Sequence, residues 1–438
     1  MRNMVIAQSQ PRMSTLRQIL LSTYWFSNNA LWSAILIITM PSQIKAAVGD
    51  ESKGSALGLA LAAGAIISML AAPVFGSLSD RIHLPGGRRK PWIVIGTVGT
   101  IIGLFGLAYL LQPGHPESLV GWTLAFLVVE LFNNVATGPY SALIPDLVPP
   151  EQRGSASGWL GLMIMLGTFV GGAMGFTLDS IGMSGIYFVL MGIMALGALA
   201  TVLGVKEPET RRALPPFKLV DFLRGLIEPF KHSDFTWVFL TRLLVTMGIF
   251  TVQEFIQYYM ADVIRPPYIL AGLGQVADTA ETAVSFFLPM LLLGAIITTL
   301  LAGAMSDRYG RKKLVYLSGA LMGAVCLVFV LFHSFTLAIV MGIIFGLGYG
   351  AYESVDWALA SDVLPSMDDY AKDMGVWHVA MVLPQVIATP IAGFLLDNFQ
   401  RVGAARGVDN LGYTVIFLIA VVYFALGTVF VKQIKKVR

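Results

Sequence analysis

The chain predicts an all-α membrane protein: twelve transmembrane helices in two six-helix bundles. Three observations lead there. The 438 residues are 56% hydrophobic and 13% charged, whereas a soluble domain carries about 25% charged residues, so the solvent for this surface is lipid. Twelve apolar runs are long enough to cross a bilayer as helices. One basic loop also occurs twice, 227 residues apart: GSLSDR at 76–81 followed by GRRK at 87–90, and GAMSDRYGRKK at 303–313. A basic loop repeated between repeated helical hairpins divides the chain into two similar halves, the build of secondary carriers.

In order, the predicted spans are 17–45, 54–78, 91–112, 118–144, 154–178, 184–205, 236–262, 281–304, 313–332, 335–361, 374–398 and 411–432. With an even number and both termini on one side, 23 of the 29 Lys and Arg fall in the loops of that side and 5 opposite. Arg242 lies within a span. The asymmetry places both termini in the cytoplasm by the positive-inside rule. The first apolar run is longer than a signal-peptide core and lacks a small-residue cleavage site, so it is expected to be its own insertion signal. Residues 206–235 form the one long polar break, with Pro208, Pro215, Pro216 and Pro229 among six cations. About 30 residues cannot build a core alone. The break therefore reads as a cytoplasmic linker between bundles at 1–205 and 236–438. Cys326 is the single cysteine, which rules out an intrachain disulfide.

The repeat extends beyond the loops. Trp159 with Leu178-Asp179 and Trp377 with Leu396-Asp397 share one offset, and Asp146-Leu-Val-Pro149 and Asp362-Val-Leu-Pro365 nearly the same one. Glycines every fourth position, at 167, 171 and 175 and at 342, 346 and 350, point to close helix packing.

Charge inside a bilayer is costly, so each ionisable residue there is a functional candidate. Glu130 falls near the middle of span 4, Arg242 and Glu254 in span 7, and Glu353 and Asp356 in span 10. A carboxyl removed from water can take and release a proton near neutral pH. That makes Glu130, Asp356 and Glu353 the proton-coupling candidates. For Asp356 the competing reading is a structural salt bridge with Arg242, which counting places at similar depth. Amides suit hydroxyl-rich solutes because each offers donors and an acceptor. Asn28 and Asn29 of span 1, Asn133 and Asn134 of span 4, and Gln253 and Gln257 of span 7, expected on one face, are therefore substrate-binding candidates with Arg242. Trp357, and with it Trp32 and Tyr352, offers a stacking surface.

The basic loops supply gate candidates: Asp80, Arg81 and Arg88 in the first, Asp307, Arg308 and Arg311 in the second. The competing reading is that they only set topology. Enzyme and nucleotide motifs such as H-E-x-x-H, G-x-S-x-G and G-x-x-x-x-G-K-[ST] are missing from the sequence, so no catalytic residue, cofactor or metal site is expected. Nucleic acid is not an expected partner, because the cations sit in short loops beside apolar helices.

The doubled G-x-[LM]-S-D-R…G-R-[RK]-K loops, twelve spans and central linker resemble the major facilitator superfamily over the whole chain. Two features narrow the resemblance. Five residues, 82–86, separate Asp80-Arg81 from Gly87-Arg88-Arg89-Lys90-Pro91. Span 4 carries Glu130-Leu-Phe-Asn133-Asn134…Gly138-Pro139…Ala142-Leu143…Asp146-Leu147. Both are similar to the sucrose–proton symporters and the glycoside–pentoside–hexuronide cation symporter group. The resemblance implies that Glu130 couples a proton to sugar. It departs at Ser141, where that group has Arg, which implies a different solute or a substitute role for Arg242.

The expected function is proton-coupled symport of a sugar or glycoside by alternating access. The expected setting is the inner membrane, as a monomer with solute, protons and lipid as partners. The alternatives are a proton-coupled antiporter exporting a drug-like compound, and a membrane scaffold with a vestigial carrier fold.

Overall fold

In the computed structural model, residues 12–82, 84–207, 228–363 and 370–435 are described. Eleven helical runs among them are long and apolar enough to cross a membrane. The longest, Ser155–Gly204, holds two passes, because Gly182 breaks it with φ 68° and ψ 174°. The count is twelve, and every expected span has its helix.

Span 1 is Thr15–Ala34, a π-turn at Ile35–Thr39, and Met40–Val48. Span 2 is Lys53–Arg81, span 3 Lys90–Tyr109 and span 4 Ser118–Ser141. Span 5 is Arg153–Gly172 with a 3-10 turn at Ala173–Thr177, and span 6 lies within Leu178–Gly204. Span 7 comes in pieces, Ser233–Gln253, Ile256–Tyr259 and a π-turn at Met260–Ile264. Spans 8 to 12 are Ala280–Tyr309, Arg311–Leu331, Phe335–Val363, Tyr370–Arg406 and Leu411–Phe430. A small hairpin between spans 7 and 8, in which β1 (Tyr268–Leu270) pairs antiparallel with β2 (Gly274–Ala277), was not expected. The expected linker falls mostly on residues 208–227, which lie outside the described residues; a 3-10 turn, Glu228–Lys231, precedes span 7.

Helices suit these sequences because lipid offers no partner for backbone N–H and C=O, and a helix satisfies both internally. The outward faces are apolar: Leu59, Leu70, Ile102, Leu196, Leu203, Leu331 and Phe394 are all exposed. Polar groups turn inward, the reverse of a water-soluble surface. Cys326 is buried and unpaired.

Span 1 packs on spans 5 and 6, span 4 on spans 2 and 3, and span 3 on span 6. In the second half span 8 packs on span 10, span 9 on spans 10 and 12, and span 7 on spans 11 and 12. The expected glycine contacts are of this kind. A Cβ on Gly342 would lie 2.7 Å from the Phe287 ring, and one on Gly175 would meet Glu281 of span 8.

Contacts between the halves gather at the end away from the basic loops, here called the far face; the opposite end is the basic face. Span 2 meets span 11 there, and the 3-10 turn after span 5 meets span 8. A Cβ on Gly54 would lie 2.8 Å from the Gly393 carbonyl, and one on Gly58 would run into the Thr389 carbonyl. Two helix backbones therefore touch with no side chain between them, sealing the far face.

Candidate functional site

Span 4 builds the first polar cluster. Glu130, Asn133 and Asn134 lie within about one turn, so they point to adjacent parts of one face, and all three are buried. The Asn134 amide donates to the Glu130 carbonyl at 2.8 Å and stands 3.4 Å from its carboxylate Oε2. Ser68 of span 2 donates to Asn134 Oδ1 at 3.3 Å. Trp32 of span 1 donates its indole N–H to Asn133 Oδ1 at 3.1 Å. Its ring stands edge-on to Phe126, which stacks on Trp122. Glu130 packs directly over Gly64 of span 2, where a Cβ would come within 3.0 Å of its Cγ. Asn133 Nδ2 and, on span 1, Asn28 Oδ1 have no partner among the described residues. Asn29 instead donates to the Trp25 carbonyl one turn back, at 2.8 Å.

The second cluster joins spans 7 and 10. Arg242 and Asp356, each 1% exposed, form an ion pair, and the Tyr352 hydroxyl donates to the other Asp356 oxygen at 3.2 Å. The salt bridge weighed from counting depth is therefore present. Breaking such a pair from one side strands a buried charge and costs about 3–5 kcal/mol. Glu353 is half-buried one turn before Asp356. The Trp357 side chain lies outside the described residues.

Gln253 and Gln257 do not share a face, contrary to expectation. The helix breaks at Glu254–Phe255, where Phe255 has φ −107° and ψ 3°. Helical spacing therefore does not carry across. Gln253 lines an apolar cavity with Phe287, Leu288, Phe329, Phe345 and Tyr349. Gln257 reaches the other half and donates to Ser42 at 2.6 Å.

The first basic loop is a closed charge network. Asp80 pairs with Arg89 at 2.5 Å and Arg88 at 3.2 Å, and Asp146 pairs with the same two arginines at 3.1 and 2.8 Å. Glu207, at the end of span 6, accepts the backbone N–H of Arg88, Arg89 and Lys90 at 2.5, 2.9 and 2.8 Å. It thus satisfies three orphan donors at the N-terminus of span 3, where the helix dipole favours an anion. Gly87 is required at this point. Its φ is +136°, and a Cβ there would lie 2.7 Å from Glu207 Oε2. Arg81 bonds to Ser77 one turn back. The buried Arg89 joins Asp80 to Asp146. In the second loop the side chains of Asp307 and Arg308 lie outside the described residues, and Arg311 opens span 9 after Gly310 at φ 92°.

The far face carries polar bonds that the sequence reading missed. Lys53, almost fully buried, bridges Asp50 of its own half at 2.7 Å and Asp262 of the other half. Lys45 reaches Asp262 at 3.4 Å, and Tyr413 donates to the same carboxylate. Burial pushes the Asp50 carboxyl up, but the Lys53 and Lys45 ammonium groups outweigh it and hold it below the usual range. Asp397 of span 11 accepts the N–H of Gly54 and Ser55, in the first turn of span 2, at 3.0 and 2.7 Å. Ser42 donates to Glu281, and Tyr258 to the Pro41 carbonyl at 2.9 Å. One signal for Asp397 was present, its repeat partner Asp179; the others pair across some 200 residues with no motif. Grouped His, Cys, Asp or Glu suited to a metal are lacking among the described residues.

The sequence profile of the family described as MFS/sugar transport protein matches residues 53–431. The chain is 24% identical over 354 residues to the multi-drug resistance efflux pump PmrA of Streptococcus pneumoniae, spanning 78% of this chain and 80% of that one. It is 23% identical over 385 residues to the sucrose transport protein SUC4 of Arabidopsis thaliana, spanning 75% of each. In fold it is similar to a crystal structure of a mutant of the nucleoside transporter NupG, with TM-score 0.74 and 14% identity over 96% of this chain and 100% of that one. With its twelve apolar helices and the profile match over most of its length, the chain belongs to the MFS/sugar transport protein family and is a multi-pass membrane transporter, not an enzyme.

Proposed function

We propose that the protein is a proton-coupled symporter that carries a sugar or glycoside across the cytoplasmic membrane by alternating access, as a monomer. The basic face is cytoplasmic, with both termini, and the far face is external. Residues 1–205 and 236–438 are the two moving bodies, joined by 206–235. The observation that carries this reading is the Glu130 cluster: one buried carboxyl beside an Asn134 amide that bonds to it, next to Asn133, whose buried amide nitrogen has no partner among the described residues. Glu130 holds the coupled proton. Asn28, Asn133 and Asn134 meet the solute, beside Trp32. Arg242, Asp356 and Tyr352 line the other side, with Arg242 supplying the cation that span 4 lacks at Ser141. Protonation neutralises Glu130 and lets the loaded carrier reorient; release weakens solute binding, and the coupling is reciprocal.

The test is uptake of a labelled sugar panel into proteoliposomes with and without an imposed pH gradient. Glu130→Gln, which mimics the protonated form, is expected to keep solute exchange and lose accumulation. Accumulation at the parental level would move the proton site to Asp356 or Glu353. A second reading, proton-coupled export of an apolar compound, draws on the phenylalanine-lined cavity beside Gln253 and on the likeness to an efflux pump. It predicts no sugar uptake and dye efflux driven by the same gradient.

A further inference from the structure

Glu254 is 1% exposed, and neither of its carboxylate oxygens has a hydrogen-bond partner among the described residues. It sits where span 7 breaks. The last bond of the first helical piece runs from Glu254 N–H to the Phe250 carbonyl, and the ladder resumes with Tyr259 N–H to the Phe255 carbonyl. Carboxyls and freed carbonyls at an interrupted helix are how secondary carriers build ion sites. Immediately beyond the break, Gln257 donates to Ser42 and Tyr258 to the Pro41 carbonyl. Both bonds cross to the other half at the far face, so the segment that carries Glu254 is held by the far-face seal.

Several of the titratable groups on the surrounding elements are engaged elsewhere. Asp356 of span 10 pairs with Arg242, Tyr352 donates to Asp356, and Glu353 follows one residue later. On span 12, Tyr413 donates to Asp262, and Tyr423 is half-buried. Asp397 of span 11 accepts from Gly54 and Ser55, and Glu281 of span 8 from Ser42. The side chains of Lys372, Asp373 and His378 on span 11 lie outside the described residues. An ionised carboxylate with no partner costs several kcal/mol in such a place, and the group neutralises instead. A metal cation needs several oxygen ligands, whereas a proton needs this one carboxyl alone.

We propose that Glu254 is a second proton-binding site, loaded from the far side when the seal opens and enclosed when it closes. The inference rests on the alternating-access reading but not on Glu130. Closing the far face then takes up one proton at Glu254, so the closed-to-open ratio falls tenfold per pH unit through the range where only the closed state holds it.

The experiment places a pair of spin labels across the far face, on the exposed Leu59 and Val402 positions, in a Cys326→Ser background. Distance distributions are read in liposomes from pH 5 to 9. Glu254→Gln is expected to lower the pH slope by one factor of ten per unit, and Glu254→Asp to restore it. Glu254→Met serves as a second neutral variant if the amide disturbs folding. Glu130→Gln in the same series removes a separate increment or none, so failure of the Glu130 reading leaves the Glu254 result standing. A slope unchanged in both Glu254→Gln and Glu254→Met overturns the proposal. So does a ratio that follows Na⁺ concentration at fixed pH, with N-methylglucamine as the control cation.

Discussion

Asp397→Ala tests whether the far-face seal is a set of definite bonds or only general packing. In the closed state the Asp397 carboxylate accepts two backbone N–H groups, at 3.0 and 2.7 Å, from the first turn of a helix in the opposite half. Hydrogen bonds to a charged group contribute about 1.5–3 kcal/mol each, and loss of a helix N-cap costs about 0.5–2 kcal/mol. The two bonds share one carboxylate and are not additive, so about 2–3 kcal/mol is the expected loss. It falls on the closed state alone, because in the open state water reaches the same N–H groups. Each 1.4 kcal/mol is a tenfold change, so the closed-to-open ratio should fall about 30- to 140-fold. Reactivity of a cysteine introduced at Ser55 toward an impermeant maleimide reads this directly, with Cys326 buried and silent. Asp397→Asn, which retains an acceptor oxygen, should fall between. Equal labelling in parent and Asp397→Ala would refute the idea that this cap holds the far face shut.

Gly58→Leu adds a side chain where the Thr389 carbonyl and Pro390 Cα leave no room, and should favour the far-face-open state, seen as faster maleimide labelling of the same cysteine. Gly87→Ala, strained at φ +136° and in contact with Glu207, should destabilise the basic loop by about 1–3 kcal/mol, lowering the thermal midpoint without loss of membrane insertion. Arg242→Ala should cost about 3–5 kcal/mol by stranding Asp356, and Arg242→Ala with Asp356→Ala should recover most of it; thermal unfolding in detergent measures both. Asp50 has a lowered carboxyl pKa, so its bridge to Lys53 is complete above the ordinary aspartate range and lost only as pH falls below it. The Asp50→Asn change should therefore leave the pH slope between 5 and 9 unchanged in the spin-label series.

The spans and the internal repeat were legible because lipid imposes length and composition on each helix, whatever its neighbours. Glu130, Asn133 and Asn134 were legible as a unit because they are within one turn. Arg242 with Asp356 was legible from depth alone. The far-face contacts were not. Lys53 with Asp262, and Asp397 with Gly54, are ordinary residues until two distant helices meet. The break in span 7 also left no mark, since the run around Glu254 contains neither proline nor glycine near the bend. It parted Gln253 from Gln257 and so undid a helical-face argument that assumed continuity.

The carboxylate of Glu207 on the span 3 N-terminus bears on how the chain is made. Its partners Arg88 to Lys90 emerge from the ribosome up to 119 residues earlier, so at roughly 5–20 residues per second the loop waits about 6–24 s for its anion. That interval ends as span 6 is completed, before any of the second half has been synthesised. The basic network can therefore set in a nascent half-protein, with Asp80, Asp146 and Glu207 all supplied by residues already in the membrane. The far-face cap is different. Gly54 must wait 343 residues for Asp397, so the early half stands with the start of span 2 uncapped until span 11 is made, and the far face first closes there only then.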